Sequence, residues 1–127
     1  MKKIFQFFIL VAFVSITQVS IAQKKEWKEM HDFHTVMSKT FHPAEEGNMG
    51  PLRANASLLL SKAKKWQAAA VPEGYDATIT KPILQQLVEE CKTIKEAEKN
   101  KKTNDELKTL ITKAHETFHK IMEKCRK

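Results

Sequence analysis

The sequence lacks the signals that build β-structure or membrane spans. No segment alternates apolar and polar residues for long enough to predict a sheet. The 127 residues include only two cysteines and three glycines. The long apolar run at residues 4–16 is shorter than the roughly 20 residues that a membrane helix needs. These absences exclude a β-rich fold and a membrane span, and they leave an all-α fold.

The apolar run has the form of an export signal. It follows two lysines, and the small residues Ser20 and Ala22 suit cleavage after Ala22. No cysteine lies near that position, which argues against a lipid anchor. We therefore predict a signal peptide over residues 1–22 and a single mature domain over residues 23–127, located in the periplasm or secreted.

The charge pattern argues against a nucleic-acid partner. The chain has 22 basic and 15 acidic residues, and two of the basic ones belong to the signal segment. The remaining lysines are spread in pairs and are not gathered into a stripe with interleaved aromatic residues. We expect a solvated, mixed-charge surface, no nucleic-acid partner and no stable membrane insertion after signal cleavage.

Apolar residues recur at three- and four-residue steps in four segments, which predicts four amphipathic helices. We place them at about residues 24–41, 51–70, 80–99 and 104–125. Pro43 ends or bends the first segment, and Thr80 caps the third. Thr103 and Glu106 have capping-box spacing before the fourth. Because the connections are about ten residues or fewer, the sequence predicts an antiparallel up-down-up-down four-helix bundle.

One short stretch of the fourth helix carries candidate chemistry. His115 and His119 stand one helical turn apart, so their rings share one face. The first and last helices of such a bundle are antiparallel neighbours, and facing residues have numbers that sum to roughly 152. His34 then faces Phe118 and His119, and Met37 faces His115. Three methionines lie within a turn of this level: Met30, Met37 and Met122.

This arrangement predicts a metal centre between the first and last helices. The expected ligands are His34, His115 and His119, with Met30, Met37 and Met122 as soft or axial partners. Imidazole suits copper, zinc and nickel, and thioethers favour Cu(I). The expected cofactor is therefore a transition-metal ion of the Cu, Zn or Ni class. Of the other histidines, His31 is predicted to face solvent, and His42 to lie near Glu45 and Glu46 in a loop that offers a secondary site.

The same stretch spells H-E-x-x-H, the signature of zinc peptidases, with Glu116 in the place of the general base. A small helical domain without strands offers no substrate cleft beside the metal. We therefore predict a protein that is not an enzyme.

The two cysteines are predicted to lie apart. In the bundle Cys91 faces about position 112, which places it about 20 Å along the helix axis from Cys125. A disulfide needs Cα atoms within about 7 Å. We expect no intramolecular bridge, with Cys91 in the core and Cys125 either free or joined to a second chain.

The mature domain resembles the soluble periplasmic bundle cytochromes, namely the b-type bundle cytochrome and the cytochrome c-prime family. The resemblance covers four helices after a signal peptide, a methionine near the start of the first helix and a histidine near the end of the fourth. It implies a non-covalent haem with an electron-transfer role, held by His119 and by Met30 or His34. The C-x-x-C-H motif is missing, because His115 and Phe118 stand where its cysteines belong. Covalent haem attachment is thereby excluded.

Three functions remain open at this point. The chain binds a bare transition-metal ion, or it binds non-covalent haem, or it is an apo bundle that acts on a protein partner as a periplasmic stress or chaperone-like factor. A zinc peptidase ranks last.

Overall fold

A computed structural model describes residues 27–127, and these residues form four packed helices without a strand. The helices are α1 (Lys28–Glu45), α2 (Gly50–Ala68), α3 (Ala77–Lys99) and α4 (Asn104–Lys124). Each packs against the next along the chain, and α1 also packs against α4 in the least extensive of the four interfaces. The predicted all-α fold is confirmed. The predicted signal peptide lies outside the described residues.

The first helix runs further than predicted, because it continues through Pro43 to Glu45. Pro43 has no amide hydrogen to donate, but its carbonyl closes the turn that follows by accepting from the amides of Glu46 and Asn48 at 3.1 and 2.9 Å. The prediction that His42 and Glu45 lie in a loop is therefore wrong. Both lie on the last turn of α1, alongside α4.

The other helix starts differ little from the predictions. α3 begins at Ala77, because Asp76 caps it by accepting from the amide of Thr78 at 2.9 Å. The predicted cap, Thr80, is instead a buried residue inside the helix. The capping box before α4 is confirmed: the amide of Glu106 donates to Thr103 Oγ1, and the amide of Thr103 donates to the Glu106 carboxylate.

Aromatic rings fill the core between α1, α2 and α4. The rings of Phe33, Trp66 and Phe118 lie 5.5–5.8 Å apart, and all three are fully buried. Trp27 extends this cluster, with its ring 5.5 Å from Trp66 and 5.1 Å from Tyr75. We call these five residues the aromatic cluster. Their separations are typical of favourable ring packing.

A short backbone pairing closes one end of the molecule. Tyr75, in the α2–α3 connection, forms an antiparallel bridge with Arg126 beyond α4. The amide of Asp76 donates to Cys125 at 2.7 Å, and the amide of Lys127 donates to Gly74 at 2.8 Å. Since Tyr75 also contacts Trp27 at the start of α1, this pairing joins parts of the chain that are far apart in sequence.

Both cysteines are buried free thiols. Cys91 is a core residue, as predicted, and its pKa is raised to about 12, first by burial and then by the nearby charge of Glu90. Cys125 is also fully buried. It is not displayed at the surface in the way that the predicted link to a second chain would require.

Candidate metal centre

The α1–α4 interface carries a strip of histidines that we call the histidine seam: His34 and His42 on α1, and His115 and His119 on α4. Their rings stack on, or lie close to, the phenylalanines of the same two helices. On α1 the seam residues follow helical spacing, because positions 34 and 42 are two turns apart and share one face. The bundle thus brings histidines of two helices, separated by about 80 positions in sequence, onto one side of the molecule.

The central feature of the seam is the pair His115 and His119. Their Nε2 atoms lie 3.1 Å apart, and their ring centroids lie 4.4 Å apart with planes at 74°. Both side chains are partly buried. An ion bonded to both nitrogens at about 2.0–2.1 Å would subtend an angle of about 95–102° at that separation. This angle lies between the square-planar and tetrahedral values, so the separation of the two nitrogens suits chelation of one ion.

Two phenylalanines hold the seam in place. The His115 ring lies flat on Phe41, with 3.7 Å between centroids and 11° between planes. The His34 ring stacks on Phe118 at 5.1 Å, as the predicted level required. At His115 the prediction is one turn out, because Phe41 and not Met37 provides the stacking partner. Helices that cross at an angle do not keep one register along their whole length.

Two seam histidines, His34 and His115, have lowered pKa values. The pKa of His115 is lowered by burial and then by His119, and the nearby carboxylate of Glu45 opposes this shift. The pKa of His34 is also lowered, by burial first and then by the charges of His31 and His119. A metal ligand must be a neutral imidazole, so these shifts favour ligation near neutral pH.

Two carboxylates flank the seam, and the sequence reasoning assigned neither to the metal centre. Glu123 Oε1 lies 3.7 Å from His119 Nδ1, and Glu45 Oε2 lies 3.6 Å from His42 Nδ1. Their signal in the sequence is the helical spacing: four residues after His119 and three after His42. Acidic residues at those offsets reach the histidine on the same helix face.

The methionines are not brought to the seam together. Met37 is fully buried, and Met30 is buried in the core, where its sulfur accepts a hydrogen bond from the Tyr75 hydroxyl at 3.9 Å. Met122 is half-buried at the core edge. Soft thioether ligands are therefore scarce beside His115 and His119.

The residue that would serve a peptidase, Glu116, is exposed on α4. Two surface cavities of about 440 and 410 Å³ lie elsewhere. One is lined by residues near the α3–α4 connection, such as Glu96 and Leu110, and the other by α1 and α2 residues, such as Asp32 and Lys62. Neither cavity includes the H-E-x-x-H residues.

Among residues 27–127, no three His, Cys, Asp or Glu side chains already converge as a metal cage. Over the same residues, no helix is both long and apolar enough to cross a membrane. Comparison of the chain with protein-family models, with curated proteins and with solved structures finds no match. A functional assignment therefore depends on the chemistry of the seam itself.

Proposed function

We propose that this protein is an exported four-helix bundle that binds a divalent transition-metal ion through His115 and His119. The observation that carries the proposal is the 3.1 Å separation of the two Nε2 atoms. Two imidazole nitrogens at that distance can chelate one ion. His34 on α1 is the proposed third ligand, because its ring stacks at 5.1 Å on Phe118, the residue just before His119.

The proposed bundle has the up-down-up-down topology. Support comes from the short connections and from the packing of α1 against both α2 and α4. The meeting of Trp27, Tyr75 and Arg126 at one end supports it further. That meeting places the start of α1, the α2–α3 connection and the end of α4 side by side, as this topology requires.

The ion class follows from the available donors. Imidazole nitrogens and carboxylate oxygens suit Zn²⁺, Ni²⁺ and Cu²⁺, whereas Cu(I) prefers sulfur. Met37 is enclosed in the core and Met30 already accepts from Tyr75, so neither supports a Cu(I) site. The role proposed is binding without catalysis, in the periplasm or outside the cell.

Haem fits the described residues poorly. A haem held by Met30 and His119 would need interior space between α1 and α4. The rings of Phe33 and Phe118 fill that space at 5.6 Å from each other, and Trp66 packs against both. We therefore favour a bare ion over haem with an electron-transfer role.

The test is metal binding by tag-free mature protein, residues 23–127. Calorimetric titration with zinc, nickel and Cu²⁺ is compared between the wild type and a His115→Ala/His119→Ala variant. We expect near-stoichiometric binding that weakens at least tenfold in the double variant. The matched control is His31→Ala/His42→Ala, which removes two exposed histidines outside the pair and is expected to change affinity less than threefold.

Four results would overturn the proposal. Equal metal affinity in the wild type and in the His115→Ala/His119→Ala variant would show that the two histidines are not metal ligands. Equal losses in both double variants would indicate unspecific binding to surface histidines. A Soret band on haem addition, lost with His115 and His119, would establish the haem alternative. A protein that binds none of these ligands would direct attention to a protein partner.

A further inference from the structure

Each ring nitrogen of His119 has a polar side chain of the same helix beside it. Its Nε2 atom lies 3.1 Å from His115 Nε2, one turn toward the start of α4. Its Nδ1 atom lies 3.7 Å from Glu123 Oε1, one turn toward the end. The three side chains therefore form a row along one face of α4, in the order imidazole, imidazole, carboxylate.

We propose that Glu123 is a positioning residue for the metal centre: its carboxylate, 3.7 Å from Nδ1 of His119, favours the tautomer with the ring proton on that nitrogen. The inference rests on the proposed function, and it specifies that Nε2 is the nitrogen of His119 that binds the ion. With the proton on Nδ1, the Nε2 lone pair of His119 points toward His115 and is free to bind an ion. A carboxylate behind a metal-bound histidine fixes the ring and raises the basicity of the bound nitrogen.

The protons balance in both states. If the His119 proton is on Nδ1, the hydrogen between the two Nε2 atoms, which lie 3.1 Å apart, belongs to His115, and Nε2 of His119 accepts it. When both Nε2 atoms bind one ion, His115 gives up that proton to solvent and takes one from solvent on Nδ1, so that it stays a neutral imidazole. The proton on Nδ1 of His119 stays in place beside Glu123. No oxidation or reduction accompanies the exchange.

Glu116 provides a matched control on the same helix. It is an exposed glutamate next to His115, and it carries the same charge as Glu123. It stands three residues before His119, whereas Glu123 stands four residues after it, beside the Nδ1 atom. Removing either carboxylate lowers the general attraction for a cation. Only the removal of Glu123 also takes away the carboxylate proposed to orient the His119 ring.

The experiment compares Glu123→Gln with Glu116→Gln in the mature chain, with Zn²⁺ as the probe. We expect Glu123→Gln to weaken zinc binding about tenfold or more, in line with other orienting carboxylates. Glu116→Gln should weaken it less than threefold. Nitrogen chemical shifts of His119 in the metal-free protein supply a second readout. We expect an Nδ1-protonated ring in the wild type and in Glu116→Gln, and a mixture of tautomers in Glu123→Gln.

The outcomes separate the two proposals. If zinc affinity is the same in both glutamate variants and the His119 tautomer is unchanged, the positioning role is wrong, even where the histidine pair binds metal. If His115→Ala/His119→Ala binds zinc like the wild type, the metal centre itself is wrong. The tautomer measurement then still decides whether Glu123 orients His119. An unchanged melting temperature in Glu123→Gln excludes unfolding as the cause of a loss.

Discussion

In both the aromatic cluster and the histidine seam each ring packs within 6 Å of a neighbouring ring, and Phe118 of the cluster contacts His34 and His119 of the seam. The cluster and the seam differ in access to water. The rings of Phe33 and Trp66 are fully buried, whereas the side chain of His119 is 41% exposed. Similar ring packing therefore serves two purposes. Where no water reaches the rings it provides stability, and in the proposed metal centre it would hold the histidine ligands in place.

The largest effect should come from removing a ring of the aromatic cluster. We expect Trp66→Ala to lower the free energy of unfolding by about 3–5 kcal/mol, because a large cavity is left in the core. Urea denaturation followed by circular dichroism measures this loss. His34→Ala, in the seam, should cost less than about 0.5 kcal/mol, as most surface changes do. Similar costs for the two variants would show that the seam is a structural part of the core.

Metal addition should act through the pair His115 and His119. At a free zinc concentration 100 times the dissociation constant, we expect stabilisation by about 2.7 kcal/mol. For a domain of about 100 residues this raises the melting temperature by roughly 10 °C. His115→Ala/His119→Ala should show no such rise, whereas His31→Ala/His42→Ala should keep it. A rise that persists without His115 and His119 would place the ion elsewhere.

Phe41 tests the point where core and seam meet, since it is buried and carries His115 on its face. Phe41→Leu keeps an apolar side chain but removes the stacked ring. We expect a stability loss of about 1 kcal/mol, the usual contribution of a ring pair beyond area burial. Zinc affinity should fall as well, because His115 loses the surface that fixes its orientation. Unchanged affinity would show that Phe41 serves the core only.

The smallest effect should be a dependence of stability on pH. The pKa values of His34 and His115 are lowered in the folded protein, so the unfolded chain binds more protons below its own histidine pKa of about 6.5. Stability contributed by the neutral rings is present above that pH and is lost as the pH falls through the folded values.

This dependence belongs to the seam and not to the aromatic cluster. His34→Ala/His115→Ala should therefore flatten the slope of unfolding free energy between pH 7 and pH 5. Trp66→Ala should keep the slope while lowering the whole curve. Urea titrations at several pH values measure both, and an unchanged slope in the histidine variant would contradict the lowered pKa values.

Much of the fold could be predicted from the sequence, because helical periodicity is a local signal that repeats along each helix. Four apolar stripes predicted four helices, and the capping box at Thr103 and Glu106 fixed the start of α4 within one residue. The spacing of His115 and His119 likewise predicted a pair on one helix face. His34 was correctly placed beside Phe118 by counting along the two helices.

The remainder depended on tertiary detail that a linear pattern does not carry. A proline usually ends a helix, but α1 continues through Pro43 to Glu45, beside α4. The amides of Glu46 and Asn48 then donate to the carbonyl of Pro43. The ring that stacks on His115 belongs to Phe41, one turn after the predicted Met37, and counting residues along two helices does not resolve such an offset. The role proposed for Glu123 depends on which ring nitrogen of His119 lies beside its carboxylate, and a linear sequence does not show this.

The backbone pairing at residues 74–76 and 125–127 has a consequence for slow motions. Residues that follow the last helix of a bundle usually exchange their amide hydrogens quickly when no hydrogen bond protects them. Here the amide of Lys127 donates to Gly74, and Arg126 lies over the Tyr75 ring at 6.0 Å. Deuterium uptake at Lys127 should therefore be slow, and it should report on the opening of the whole aromatic end. The exchange rate of the Lys127 amide would therefore measure how often this end of the molecule opens.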